Sequence, residues 1–314
     1  MAVTGVVVKD AVVKEFRQSA WDETIADDCR QLVRLAVRED LDRAHDWTTV
    51  ALIPPTARGR ATVVARQAGT VAGLPAAALV QDEMNLDAVW EPRVADGQSV
   101  NPRDHLAVFS GATRDLLTAE RLLLNLLGRL SGIATLTRRY VDAVAGTPAR
   151  IYDTRKTTPG WRRLEKYAVR CGGGYNHRTG LFDAVLIKDN HLALGGYAPG
   201  DAVRRAREFL PAMLSDAGAD VAMIVEVEVD TLVQLDDVLP CRPDIVLLDN
   251  MSPDQLRAAI ARRDAVAPEV QLEASGGVNL NTVRTIAETG VERISVGALT
   301  HSAVSLDVAL DWVG

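Results

Sequence analysis

The sequence predicts an α/β protein, with a compact α+β front section followed by a closed or nearly closed parallel β/α barrel. Three observations carry this. Across the C-terminal half, short apolar runs alternate with helical segments, the pattern of parallel strands joined by crossover helices. No run with an edge-strand pattern interrupts them, which favours a barrel over an open doubly wound sheet. The length of 314 residues suits one large α/β unit or two domains.

The elements follow in chain order. Residues 1–20 hold a short apolar run broken by Lys9 and Asp10, without the basic start and long apolar stretch of a signal peptide. They are expected to form a loose leader. Residues 22–44 carry Ile25, Cys29, Leu32, Ala36 and Leu41 near helical spacing, and Asp22 can cap the start. Residues 57–75 read as two strands around a turn at Ala68 and Gly69, then a helix from Pro75. Residues 94–111 read as a further hairpin. Residues 114–146 are strongly apolar and helical, with a break expected near Gly128 or Gly132. Six strands are then expected at 150–153, 184–188, 223–229, 244–249, 270–275 and 293–297. Trp47, Trp90 and Trp312 are expected to pack.

The bulk numbers exclude several classes. The apolar fraction of 47% and charged fraction of 25% are ordinary for a globular protein, and no run approaches a membrane span. The formal net charge of -7 argues against general nucleic-acid or anionic-membrane binding. Cys29, Cys171 and Cys241 share no metal-type spacing, so disulfides and a cysteine metal site are not expected. The cytoplasm is the default location. Cys171 is expected to be packed rather than reactive. No G-x-G-x-x-G follows a strand, which disfavours a dinucleotide fold.

Against that acidic background, residues 153–180, "DTRKTTPGWRRLEKYAVRCGGGYNHRTG", are basic. Arg155, Lys156, Arg162, Arg163, Lys166, Arg170 and Arg178 face only Asp153 and Glu165. Some of Arg162, Arg163, Lys166 and Arg170 are expected to be solvated and others to line an entrance. A local cationic stretch in an acidic protein points to a small anionic ligand. In β/α barrels the active site lies at the C-terminal ends of the strands. There the sequence places Asp153, Arg155 and Lys156, then Lys188, Glu226 and Glu228, Asp249 and Asn250, Glu273 and Ser275, and Gly297. Period two puts Glu226 and Glu228 on one face, opposite Val225, Val227 and Val229. The result is a cationic wall over an acidic floor. Arg155, Lys156 or Lys188 would partner the carboxylates, with Glu226 and Glu273 read as structural. The glycine turns "ASGGV" and "SVGAL" suit a phosphate, because glycine lets backbone N–H groups approach closely.

Taken together, "AERLLLNLLGRLSGIAT", the long 153–191 motif, "EVEVD", "LLDNMSP", "EASGGV" and "ISVGALTHSA" resemble the quinolinate phosphoribosyltransferases, from about residue 22 to the C-terminus. The resemblance implies an N-terminal α/β sandwich domain plus an incomplete parallel β/α barrel of about six or seven strands. It places the sandwich at 21–130, with 302–314 returning to it, and the barrel at 131–301. It implies phosphoribosyl transfer from phosphoribosyl pyrophosphate to quinolinate with decarboxylation, Mg²⁺ beside the pyrophosphate, and a homodimer. By the same resemblance Arg121 reaches the neighbouring subunit's quinolinate. Thr154, Arg155, His177, Arg178 and Lys188 bind that substrate, and Lys156 sits near both. Glu228 and Asp249 hold ribose hydroxyls and the metal. Ser275, Gly276, Gly277, Gly297 and His301 bind the 5-phosphate. Lys156, Lys188, Glu228 and Asp249 form the catalytic set. From periodicity alone Arg121 would be a snorkelling surface arginine. A nicotinate-specific relative and a catalytically silent phosphate-binding barrel are the competing readings. The segment 195–223 is longer than the resemblance leads one to expect.

Overall fold

The computed structural model of the protein describes residues 6–8, 11–216 and 223–312. The chain forms two compact units that alternate along the sequence. One comprises the described residues of Met1–Gln18, Tyr140–Arg155 and Tyr175–Gly297; the other comprises those of Ser19–Arg139, Lys156–Gly174 and Ala298–Gly314.

The first unit is built on a six-stranded parallel sheet. Its strands are Arg150–Tyr152, Ala184–Ile187, Ile224–Val229, Ile245–Asp249, Gln271–Ser275 and Arg293–Ser295. Their spatial order is first, sixth, fifth, fourth, third, second. The first strand pairs with the last, as in a barrel. Among the described residues it does not pair with the second, so the ring is incomplete. Tyr175 adds a single parallel bridge to Tyr152 on that open side. Val225, Val227 and Val229 are buried, and so is Glu226 between them, because such a strand is covered on both faces. Crossover helices start on local signals: Thr231 and Gln234 form a capping box for Leu232–Val238, and Ser252 and Gln255 one for Pro253–Val266. In the 195–223 segment the structure shows a helix, Pro199–Asp216; residues 217–222 lie outside the described residues.

The second unit has a four-stranded antiparallel sheet in the order Val308–Trp312, Arg58–Ala65, His105–Ala112, Ala88–Pro92. Helix Glu23–Leu41 starts at Asp22, whose side chain accepts from the Ile25 N–H, and it buries Ile25, Cys29 and Val33. Helix Leu74–Glu83 follows the short strand Gly69–Thr70. Both units thus match the expected fold class, a small sheet domain and a parallel incomplete barrel.

Four local expectations need correction. The strands in 57–75 and 94–111 are not hairpins. Arg58–Ala65 pairs with His105–Ala112 and Val308–Trp312, while Gly69–Thr70 pairs with Ser99–Val100. Helix Thr113–Ala143 runs through Gly128 and Gly132 without a break. Those glycines are there for close approach: a Cβ on Gly128 would stand 3.1 Å from Leu306 O, and one on Gly132 2.9 Å from Ser305 Cα. Residues 14–18 are no loose leader, since Glu15 and Phe16 are buried in the first unit; residues 1–5 and 9–10 lie outside the described residues. Finally, Trp90 packs edge-on against Phe109, but Trp47 is 67% exposed.

Candidate active site

Asp153 follows the first barrel strand and is fully buried. Its carboxylate accepts from the His177 N–H at 2.8 Å and from Asn176 Nδ2 at 2.7 Å. Two short bonds to one carboxylate pin residues 176–178 beside the strand end that carries Thr154 and Arg155.

His177 is buried as well. Its Nδ1 accepts from the Arg178 N–H at 2.8 Å. Nε2 lies 2.9 Å from Glu226 Oε2 and 3.5 Å from Glu273 Oε1. Glu226 is completely enclosed, and burial pushes its carboxyl up to about 7 against the opposing pull of Arg293, Arg178 and Lys188. Burial also raises the Glu273 carboxyl, with His177 opposing. The expected lysine partner is seen at Glu228, which pairs with Lys188, while Glu226 stands beside His177. Arg293, fully buried, donates to Glu273 at 2.9 Å and lies 3.7 Å over the Tyr152 ring.

Arg178 is 6% exposed. Nη1 reaches Ala184 O at 3.3 Å, and Nε has no hydrogen-bond partner among the described residues. Burial and then the neighbouring Arg155 pull its pKa down. A desolvated guanidinium beside a second cation, with an unused donor, is electrostatically prepared for an anion.

On the next strand ends, Lys188 pairs with Glu228. Burial raises the Glu228 carboxyl, the Lys188 bond and charge oppose this, and Asp249 on the adjacent strand adds to it. Asp249 accepts from Asn250 Nδ2 at 2.7 Å. A cavity of about 470 Å³ opens beside Glu228, with Asp189, Tyr197 and Asp230 in its lining. Past Ser275, Gly276 and Gly277 have φ of 91° and 60°. A Cβ at Gly276 would overlap the Asn250 amide and stand 2.8 Å from its backbone N, whereas Gly277 faces open space. This turn can present backbone N–H groups to a phosphate. Gly297 lies two residues beyond the sixth strand.

The first unit therefore brings together Thr154, Arg155, His177, Arg178, Lys188, Glu228, Asp249, Ser275, Gly276, Gly277 and Gly297 at or just beyond its strand ends. Lys156, Arg121 and His301 belong to the second unit. The Lys156 carbonyl there accepts from Thr300 Oγ1 at 2.7 Å. Arg121 is exposed on the long helix, and His301 Nδ1 lies 2.6 Å from Ser302 Oγ. The remaining cations of the basic stretch have partners within the protein, with Arg162, Arg163 and Arg170 still partly exposed. Arg163 pairs with Asp28 at 2.8 Å, Arg162 donates to Thr157, Arg170 donates to the Gly174 carbonyl, and Lys166 is fully buried. Sequence reasoning missed Glu15, Phe16 and Arg293. Only Arg293 left a signal, a charged residue at the start of an apolar strand.

Residues 46–131 match the model of the quinolinate phosphoribosyl transferase N-terminal domain, and residues 133–311 match that of the C-terminal domain. The chain belongs to the quinolinate phosphoribosyltransferase family. Within this family, it is 46% identical over 287 residues to the nicotinate-nucleotide pyrophosphorylase [carboxylating] of Mycobacterium leprae, covering 91% of this chain and 97% of that one. It is 36% identical over 295 residues to quinolinate phosphoribosyltransferase [decarboxylating] 1 of Nicotiana glauca, covering 90% and 82%. The solved nicotinate-nucleotide pyrophosphorylase of Francisella tularensis superposes with a TM-score of 0.85 at 34% identity, covering 95% of this chain and all of that one. That superposition spans residues of both the barrel and the sheet unit described above.

Proposed function

We infer that the protein transfers the phosphoribosyl group of phosphoribosyl pyrophosphate to quinolinate with decarboxylation, giving nicotinate mononucleotide, pyrophosphate and carbon dioxide in NAD biosynthesis. The observation that carries this reading is Arg178, a buried guanidinium with an unused donor next to Arg155. A dicarboxylate supplies the missing acceptors and cancels the repulsion.

Each residue then has a task. Arg155, Arg178, Lys188 and the Thr154 and His177 backbone region bind the two carboxylates. The Ser275–Gly277 turn and Gly297 take the 5-phosphate. Glu228 and Asp249 hold the ribose hydroxyls and stabilise the positive charge that grows as the bond from ribose C1 to pyrophosphate breaks. The ring nitrogen of quinolinate forms the new bond to C1, and pyrophosphate leaves with the electron pair. The ring is now cationic. Its adjacent carboxylate departs as carbon dioxide, leaving an electron pair on the ring carbon that takes up a proton. Lys156 is the cation assigned to the departing phosphates. Holding two anions in line supplies much of the rate. The carboxylate pair Glu228 and Asp249 is a hard oxygen set on adjacent strands, which fits Mg²⁺ shared with substrate phosphates. Bound there, Mg²⁺ would neutralise charge on the leaving pyrophosphate.

The working form in this reading is a cytoplasmic homodimer in which Arg121 completes the neighbouring subunit's quinolinate pocket. The exposure of Arg121 and the free thiols Cys29, Cys171 and Cys241 are consistent with it. Purified protein with phosphoribosyl pyrophosphate, Mg²⁺ and either quinolinate or nicotinate tests the reaction. Nicotinate mononucleotide and carbon dioxide from quinolinate alone are expected. Product from nicotinate alone would overturn the reading.

A further inference from the structure

Residues Lys14–Gln18 precede the matched family domains, yet Glu15 and Phe16 are buried in the first unit. The Glu15 carboxylate accepts from the Tyr152 hydroxyl at 2.7 Å and from Arg293 Nη1 at 3.1 Å. Tyr152 is the last residue of the first barrel strand and Arg293 the first of the sixth, so Glu15 ties the segment to the paired edges of the sheet. Phe16 is 3% exposed, in one apolar cluster with Ala184, Ile224 and Ile245 from three further strands. The Arg293 guanidinium lies 5.1 Å from its ring centre.

The free face of Phe16 is where the segment meets the site. Its ring stacks on the His177 imidazole, with centroids 4.4 Å apart and planes 28° apart. Gln18 then clamps the backbone one residue earlier. Its Oε1 accepts from the Asn176 N–H at 2.8 Å, and its Nε2 donates to the Asn176 carbonyl at 3.1 Å and to the Phe16 carbonyl at 2.8 Å. His177 in turn accepts from the Arg178 N–H, and Glu226 Oε2 approaches the other ring nitrogen to 2.9 Å. Arg178 is therefore the end of a chain of short contacts that begins outside the matched domains.

We propose that Phe16 and Gln18 are positioning residues for the quinolinate pocket, holding His177 and the 176–178 backbone so that the Arg178 guanidinium stands where a substrate carboxylate must bind. The proposal rests on the functional reading above. It needs Phe16 for its flat face and Gln18 for its carboxamide; bulk alone is not enough. A face-to-face ring contact fixes the imidazole plane, and a paired amide fixes the peptide. Displacing a binding group by about 1 Å can cost roughly 100-fold in rate.

The test compares wild type with Phe16→Leu, which keeps apolar bulk, and Gln18→Ala, which lies at a partly exposed position and leaves the core intact. Both should raise the KM for quinolinate about tenfold and leave the KM for phosphoribosyl pyrophosphate within about twofold. Equal movement of both constants, or of neither, overturns the proposal. In parallel, nitrogen-labelled histidine and nitrogen-labelled arginine report the imidazole and the guanidinium by NMR without turnover. Phe16→Leu should move the His177 signals through loss of the ring current, and Gln18→Ala should move the Arg178 Nε–H signal. Unmoved signals overturn the proposal by themselves. A wild type that does not convert quinolinate, with those signals moving as expected, overturns the functional reading and leaves the positioning geometry standing.

Discussion

Arg178 is the residue on which the anion site turns: burial and the neighbouring Arg155 disfavour its charge, Glu226 and Asp183 offset only part of this, and its Nε has no hydrogen-bond partner among the described residues. Arg178→Ala should lower kcat/KM for quinolinate by at least about 100-fold, since it removes one partner of a buried charged contact. Arg178→Lys should recover little of this, because a point charge cannot offer the planar fork. Steady-state assays over both substrates check it. Glu226 carries a different expectation. Its carboxyl, ordinarily near 4.5, is raised to about 7, so between those values the folded chain holds a proton that the unfolded chain has lost. That contribution to stability is fully present below about 4.5 and is lost as pH rises to about 7. Thermal melts of wild type and Glu226→Gln from pH 5 to pH 8 should show the variant gaining on wild type up to about pH 7 and no further. His177, Glu273, Arg293, Arg178 and Lys188 surround the group and stay unchanged in the comparison.

At the scale of elements, the glycines decide two contacts. Helix Thr113–Ala143 accepts Gly132 in its interior because the segment at Val304 and Ser305 passes against it. Gly132→Ala should destabilise the protein by about 1–3 kcal/mol, since the added methyl meets backbone that has no rotamer to change. Urea unfolding followed by circular dichroism reads this directly, and an unchanged midpoint would show that the segment yields. At the end of the fifth barrel strand, Gly276 combines a φ of 91° with contact on the Asn250 amide. Gly276→Ala should raise the KM for phosphoribosyl pyrophosphate about tenfold or more while leaving quinolinate binding near wild type, because strain of about 1–3 kcal/mol falls on the phosphate turn.

For the whole molecule, the proposed dimer makes a distinctive prediction. Arg121→Ala and Arg178→Ala proteins should each be nearly inactive alone. Mixed and re-equilibrated, they should regain about a quarter of wild-type activity, because half of random dimers are mixed and each has one intact site. No recovery on mixing, with subunit exchange shown independently, would place Arg121 in its own subunit's site.

Composition, alternation and motif were enough to define the class of this protein. Parallel strands must be apolar on both faces, and crossover helices must be capped, so the six barrel strands and boxes such as Ser252 with Gln255 are written locally. The basic 153–191 motif pointed to an anionic ligand for the same reason: charge composition is a local property of the chain. What only the tertiary structure decided depends on residues far apart in sequence. Nothing local tells that Arg58–Ala65 pairs with Val308–Trp312 rather than with its neighbour, since a strand's register is set by the partner that covers its face. Nothing local separates Arg178, which is left to bind, from Arg163, which pairs with Asp28 some 135 residues away. And nothing in an apparent leader shows that Phe16 rests on His177, because a stacking contact exists only once the barrel has brought the two rings together.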